Sequence, residues 1–417
     1  MMESIAQLKK HVTGLLHSKK ISTPALVISL DLIERQFDLL QSILPRVEVH
    51  FSVKANPDRA VLSHLRHIGS SFEAASLGEI KQCLEAGSLP TQIHFGNSIK
   101  KRIDIKEARS LGITSFSVDS EQEVLKIAEM APGSKVIVRL TTDGKGAIWG
   151  LTKKFGTSVD NAIALLKLSK ELNLQPYGLS FHVGSQQMNP QAWSRALNNC
   201  QTVISELSTE NINLTVINLG GGLPANGYLE NGVSKEIDLA SYLKMIRCHI
   251  EQFENDCGRH FKFMIEPGRF MVANTGLVVS EVVLDTTRES DGVKQRWIYM
   301  DVGKFNGLYE ASDVSLPVHV LNSSQLHATE STMPMILSGP SCDSDDMLLP
   351  NNSYVVLPTN LKEGDHLVFS STGAYSNSYA TRNFNGLNPI EVVCLNGRGD
   401  VIKTGTHESR EIFGMVG

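Results

Sequence analysis

The chain has 417 residues, 39 Lys and Arg against 44 Asp and Glu, and a formal net charge of -5. This length exceeds the ~100–200 residues of a typical domain, so two domains or one large barrel with an appended module is expected; the near balance of charge, without any basic block, argues against nucleic acid or an acidic membrane as the main partner. The six cysteines (Cys83, Cys200, Cys248, Cys257, Cys342, Cys394) show no metal-ligand spacing and no apolar leader or membrane-length segment opens the chain, so no metal site is expected and a reducing cytoplasm fits.

The first twenty residues carry Lys9, Lys10, Lys19 and Lys20 as a transit peptide would, but Glu3 and the absence of arginine weigh against that reading. "TPALVISL" then reads as a strand, one that can join a β unit formed later in the chain. From Val47 to Arg269 short runs rich in β-branched and aromatic residues alternate with longer amphipathic stretches, the pattern of βα units. The strand candidates are "VEVHFSV", "SFEAAS", "QIHFGN", "TSFSVD", "KVIVRL", "YGLSFHVG", "LTVINLGGG" and "FKFMIEPG". Eight such units over about 250 residues predict a closed β/α barrel, and no GxGxxG follows the first strand to suggest an open dinucleotide-binding sheet. After Arg269 come "GLVVSEVVL", "RWIYMDVG", "SYVVLP" and "DHLVFSST" with no long helix between them, which predicts a second, mainly β domain. The expected division is a barrel over 32–270 and a β domain from 1–31 and 271–417.

The unusual residues fall just after the predicted barrel strands, where barrels place their active sites. Lys54 ends the first strand in "HFSVKANPDR", Glu73 the second, Arg139 the fifth and His182 the sixth; Gly220, Gly221 and Gly222 end the seventh, Glu266 and Arg269 the eighth. Taken singly each has an ordinary explanation: a lysine where a strand emerges, a rim histidine, a plain glycine turn, a surface corner. Together they imply one chemistry. Successive glycines let backbone N–H groups approach an anion, and an arginine adds a bidentate contact, so that corner suits a phosphate. A lysine across the mouth suggests pyridoxal 5'-phosphate (PLP) held as a Schiff base, with Glu266 and His182 available for the ring nitrogen and the ring face.

The motifs "FSVKAN", "SFEAASLGEI", "LTKKFG", "FHVGSQ", "NLGGGLP", "IEPGRF", "GPSCDSDD" and "TGAYSNSYATRNFNG" occur in the order of one family. The chain resembles the ornithine/diaminopimelate decarboxylase group of barrel-type PLP enzymes, which share an alanine racemase-like fold, and most closely the bacterial ornithine decarboxylases. The resemblance implies that Lys54 carries the cofactor, that His182 stacks on its ring, and that Glu266 pairs with the ring nitrogen. It implies that Ser185, Gly220 to Gly222, Arg269 and Tyr375 hold the phosphate. Glu73, where relatives carry Asp, and Glu79 and Arg139 match positions near the cofactor. In this family the "CDSDD" loop enters the neighbouring subunit's site, so a homodimer is implied in which Cys342 protonates the reacting carbon and Asp343 faces the substrate's distal amine.

Glu310 in "GLYEASD" matches a position that holds an acid for the same amine. The implied reaction is decarboxylation of a basic L-amino acid, ornithine first and lysine next, to a diamine. One departure stands out: Arg382, two residues before Phe384, lies in a segment that borders the substrate end and usually carries small or neutral residues. An arginine there that binds a second carboxylate would imply a larger or acidic substrate. A barrel-type racemase would use the same lysine, but racemases face the ring nitrogen with arginine, where this chain has Glu266; a non-catalytic binding relative would have no need to retain Lys54, Glu266 and Cys342 together.

Overall fold

Eight short strands follow one another around a closed parallel barrel in chain order: Val47–Ser52, Ser71–Ala74, Ile93–Phe95, Ser115–Val118, Lys135–Arg139, Gln175–Ser180, Val216–Asn218 and Lys262–Ile265. The structure, a computed structural model, describes residues 4–150, 153–230, 233–234, 236–290, 292–321, 331–348 and 354–402. The start of the motif "LTKKFG" and both ends of the expected β domain therefore lie outside the described residues.

Because successive side chains of a strand point to opposite faces, each barrel strand divides into two sets. Val47, Val49, Phe51, Phe72, Phe95, Phe116, Val136, Val138, Leu179, Ile217 and Phe263 face outward into one continuous apolar core against the helices. The inward set is largely polar. Ser71 Oγ donates to Glu48 Oε1 at 2.8 Å, and the buried His94 ring lies 2.8 Å from both Ser115 Oγ and Ser117 Oγ. Burial above all, then the charges of His50 and Lys100, pushes His94 down to about 3, so this ring is neutral at physiological pH. A separate inner apolar cluster joins Ile137, Val216 and Met264, with Tyr177 packed on it.

The helices begin where the sequence offers caps. Ser76 Oγ accepts the Glu79 N–H at 3.2 Å and Glu79 Oε2 accepts the Ala75 N–H at 2.6 Å, so both ends of this short exchange satisfy N–H groups at the start of helix Leu77–Glu85. Gly258, at φ 65°, closes helix Leu239–Cys257 in the left-handed region.

The β unit is a nine-stranded sheet organised on the long strand Gly276–Ser290. Strand Ala25–Ser29 runs antiparallel to it, pairing Ala25 with Val279, and parallel to Glu391–Leu395, so the early strand does join the later β unit. Sequence reasoning left the first twenty residues without structure of their own. They contain helix Ile5–His17, whose Leu8, Val12 and Leu15 recur at i, i+4 and i+7 and pack on Val27, Leu277, Val279 and Val368. Among the described residues no helix is long and apolar enough to cross a membrane.

The two units meet at the C-terminal end of the barrel. After strand His366–Ser370 the chain turns through Ser371 and Tyr375, both at φ near +60°. Tyr375 N–H donates to the Ala55 carbonyl at 2.8 Å, and Asn56 Nδ2 donates to the Gly373 carbonyl at 2.9 Å. Gly373 is required here, since a methyl group on it would sit 1.9 Å from the Val272 carbonyl oxygen. This loop is thereby fixed onto the turn that carries Lys54.

Candidate active site

The inward parity of the barrel strands continues two residues further at their C-terminal ends and delivers the charged groups. Glu73 follows Ser71, Arg139 follows Ile137, His182 follows Ser180, Asn218 follows Val216 and Glu266 follows Met264. Lys54 sits on a short turn, Val53–Ala55, directly after the first strand. Its Nζ donates to Glu73 Oε2 at 3.2 Å; Glu73 is 4 % exposed, whereas Lys54 keeps 44 % of its side-chain surface open at the barrel mouth. Glu73 first, then Tyr375, Glu266 and Glu79, hold the Lys54 ammonium above the usual lysine range, against the opposing effect of burial. Gly96 on the next turn makes room for this acid, because a methyl group there would lie 2.5 Å from Glu73 Oε1.

Glu266 is raised from the ordinary carboxyl range by burial and then by the Glu73 charge, with Lys54 and a hydrogen bond from Asn218 opposing. That bond is short: Asn218 Nδ2 donates to Glu266 Oε1 at 2.6 Å, while Asn218 Oδ1 accepts the Gly220 N–H at 2.9 Å. One buried amide thus holds both the acid and the start of the glycine turn. His182 Nδ1 accepts the Gly184 N–H at 3.1 Å, which leaves the proton of the neutral ring on Nε2, and burial pushes its pKa down to about 3. Glu79 is pushed up to about 7, by burial and then by Glu73, although its Ala75 hydrogen bond acts the other way.

The glycine turn is a cradle that side chains would fill. Methyl groups on Gly220 and Gly222 would come within 1.8 Å of the Phe181 carbonyl oxygen and 2.4 Å of the Gly184 carbonyl oxygen. One on Gly221 would sit 3.0 Å from His182 Nε2. Arg269, 5 % exposed, flanks the cradle with its Nε 3.4 Å from Ser185 Oγ. Its fork meets Glu310: Nη1 to Oε2 at 2.6 Å and Nη2 to Oε1 at 2.7 Å, with Nη1 also donating to Tyr228 Oη at 2.9 Å. The guanidinium carbon lies 4.7 Å from the ring centres of both Trp149 and Tyr375. Trp149 stands on a ribbon of Ala147–Trp149 and Ser185–Gln187 that pairs Trp149 with Ser185. Arg139 stacks on Phe155, 5.3 Å from the ring centre.

The structure therefore brings Lys54, Glu73, Glu79, Arg139, His182, Ser185, the three glycines, Glu266, Arg269 and Tyr375 to one mouth. It places Glu310 there too, paired with Arg269. Cys342, Asp343, Phe384 and Arg382 form a second group. Cys342 N–H donates to Asn385 Oδ1 at 2.8 Å and the Phe384 ring lies 4.6 Å from Phe305. The loop is shaped by buried Asp346, which accepts the Lys304 N–H at 2.7 Å and the Ser341 N–H at 3.0 Å. Cys342, Asp343 and Arg382 are exposed, and among the described residues no hydrogen bond or ion pair links them to the Lys54 group. Sequence reasoning missed Asn218, Tyr228, Trp149 and Gly96. Asn218 was detectable as the single polar residue in the buried run "VINL", two positions before the glycines.

The cradle, the arginine fork and the lone amine beside two carboxylates fit a phosphorylated aldehyde cofactor such as PLP. Residues 30–273 match the family described as pyridoxal-dependent decarboxylase, pyridoxal binding domain. The lysine/ornithine decarboxylase of Selenomonas ruminantium is 31 % identical over 372 residues, 88 % of each chain. Among solved structures, the arginine decarboxylase of Paramecium bursaria Chlorella virus superposes with a TM-score of 0.82 at 27 % identity, covering 93 % of this chain and 100 % of that one. The lysine/ornithine decarboxylase of Vibrio vulnificus complexed with cadaverine gives 0.80 at 27 % identity, covering 94 % and 99 %.

Proposed function

This chain belongs to the pyridoxal-dependent decarboxylases, and we propose that within that family it removes carbon dioxide from a basic L-amino acid, ornithine first and lysine next, to leave a diamine. The observation that carries the reading is a lysine amine, Lys54 Nζ, 3.2 Å from Glu73 at the barrel mouth shared with Glu266, the glycine cradle and Arg269. When bound, PLP supplies a ring that accepts the electron pair released as the carboxylate leaves. Lys54 would hold its aldehyde carbon, the Gly220 to Gly222 amides with Ser185 and Arg269 its phosphate, and His182 one face of its ring. Neutral His182 is suited to that task because it adds no charge against the ring. Glu266 would hold a proton at the ring nitrogen, and its carboxyl, raised by burial, is kept in place by Asn218.

Cys342 and Asp343, exposed and among the described residues not hydrogen-bonded to the Lys54 group, support a homodimer in which this loop serves the partner's site. There Cys342 would return a proton to the carbon that has lost its carboxylate, and Asp343 would take the distal ammonium. The relatives named for lysine, ornithine and arginine support a basic side chain. The test is carbon dioxide release from a panel of ornithine, lysine, arginine, diaminopimelate and neutral amino acids. Release from ornithine or lysine well above the others is expected; preference for diaminopimelate or a neutral amino acid would overturn the substrate reading.

A further inference from the structure

Glu310 was expected to bind the distal ammonium of the substrate, yet both of its oxygens accept from the buried Arg269 fork. An ammonium arriving there finds Glu310 shared with Arg269, which leaves only the outer lone pairs of the carboxylate free. Besides the partner subunit's Asp343, assigned above to the same ammonium, the groups next to Glu310 in this chain are aromatic. Tyr309 immediately precedes Glu310, and the Tyr379 ring stands edge-on to it at 5.3 Å and 88°. Tyr379 also lies 5.2 Å from the partly buried Tyr375 ring, so three rings run from the phosphate corner to the surface. The outer two remain 43 % and 44 % exposed, more than packing alone requires of large aromatic residues. Their positions are set by the backbone: Thr381 N–H donates to the Phe305 carbonyl at 2.8 Å, and its hydroxyl donates to the same oxygen at 2.9 Å.

We propose that Tyr379, with Tyr309 beside it, is a specificity-determining aromatic wall that receives the alkyl chain and distal ammonium of the substrate. The inference rests on the reading of the site as a basic amino-acid decarboxylase and adds a residue that sequence reasoning did not single out. A ring face attracts a cation through its quadrupole, most strongly where water is partly excluded. Tyr379 stands where it should for that role, since its ring lies 5.2 Å from Tyr375, the ring on which the Arg269 guanidinium stacks at 4.7 Å.

The experiment uses the PLP-loaded enzyme and two variants. Tyr379→Phe keeps the ring, and Tyr379→Leu keeps apolar bulk without a π face. Calorimetric titration with 1,5-diaminopentane and with 1-aminopentane, which lacks the second amine, separates cation recognition from chain packing. The Leu variant should bind the diamine about 5- to 30-fold more weakly than wild type and lose little for the monoamine, and the Phe variant should stay within about twofold for both. In turnover, the Leu loss should fall on KM more than on kcat. Equal losses for the two amines, or a Phe variant as weak as Leu, would overturn the wall. Failure of wild type to release carbon dioxide from any basic amino acid would instead overturn the reading on which it rests.

Discussion

Asn218 offers the sharpest test of how the site is held together. Replacing it by alanine removes the 2.6 Å bond to Glu266 and leaves the buried Gly220 N–H without its acceptor. A hydrogen bond to a charged group contributes about 1.5–3 kcal/mol and an orphaned buried donor costs about 1–3 kcal/mol, so the loss should be about 3–5 kcal/mol. For a chain of this size that lowers the melting temperature by roughly 3–6 °C. Glu266, relieved of a bond that lowers its pKa, should hold its proton to still higher pH.

Asn218→Asp separates the two bonds. It still accepts the Gly220 N–H but sets a second carboxyl against Glu266, and the pair then shares one proton. Its folded pKa is raised above the unfolded value, so the stability it gives is fully present below the ordinary carboxyl range and is lost as pH rises through the raised value. Scanning fluorimetry from about pH 5 to 8 should show the Asp variant falling with pH more steeply than wild type. An unshifted melting point in the Ala variant, or a pH-independent Asp variant, would refute this role for Asn218.

Cys342→Ala should slow turnover by ~10²–10⁴-fold and divert product to aldehyde with conversion of the cofactor to its amine form; clean diamine at a normal rate would remove Cys342 from the reaction. Mixing inactive Lys54→Ala and Cys342→Ala chains should restore part of the activity, because a mixed dimer has one site with both native residues. Recovery that stays absent although the subunits exchange would place the whole site in one chain. Glu79, raised to about 7 by burial and then by Glu73, gives stability that is fullest below the ordinary glutamate value and is lost as pH rises through about 7. Glu79→Gln keeps the acceptor for Ala75 and has no proton to lose, so its melting profile over that window should be flatter than wild type.

The barrel was legible in the sequence because its strands carry outward apolar residues at alternate positions and end on residues that have no place in a core: Lys54, Glu73, His182, Glu266. The glycine cradle was legible for the same reason, since three glycines in succession serve no strand. Contacts between distant segments were not. Nothing in "IEPGRF" or in "GLYEASD" announces that Glu310 meets Arg269, because the pair forms only when the β unit folds over the barrel mouth. Trp149 likewise carries no local signal, because only the ribbon with Ser185–Gln187 brings it against the guanidinium. The helix at Ile5–His17 buries only Leu8, Val12 and Leu15, a stripe that acquires its meaning from the distant strands Ala25–Ser29 and Gly276–Ser290 on which it packs.

Borohydride reduction of the PLP-loaded protein followed by peptide mass mapping tests whether Lys54 is the amine that carries the cofactor. A single stable pyridoxyl adduct on the peptide containing Lys54, absent from Lys54→Ala, is the predicted result. An adduct on another lysine, or one that persists at full yield in Lys54→Ala with normal decarboxylation, would contradict it.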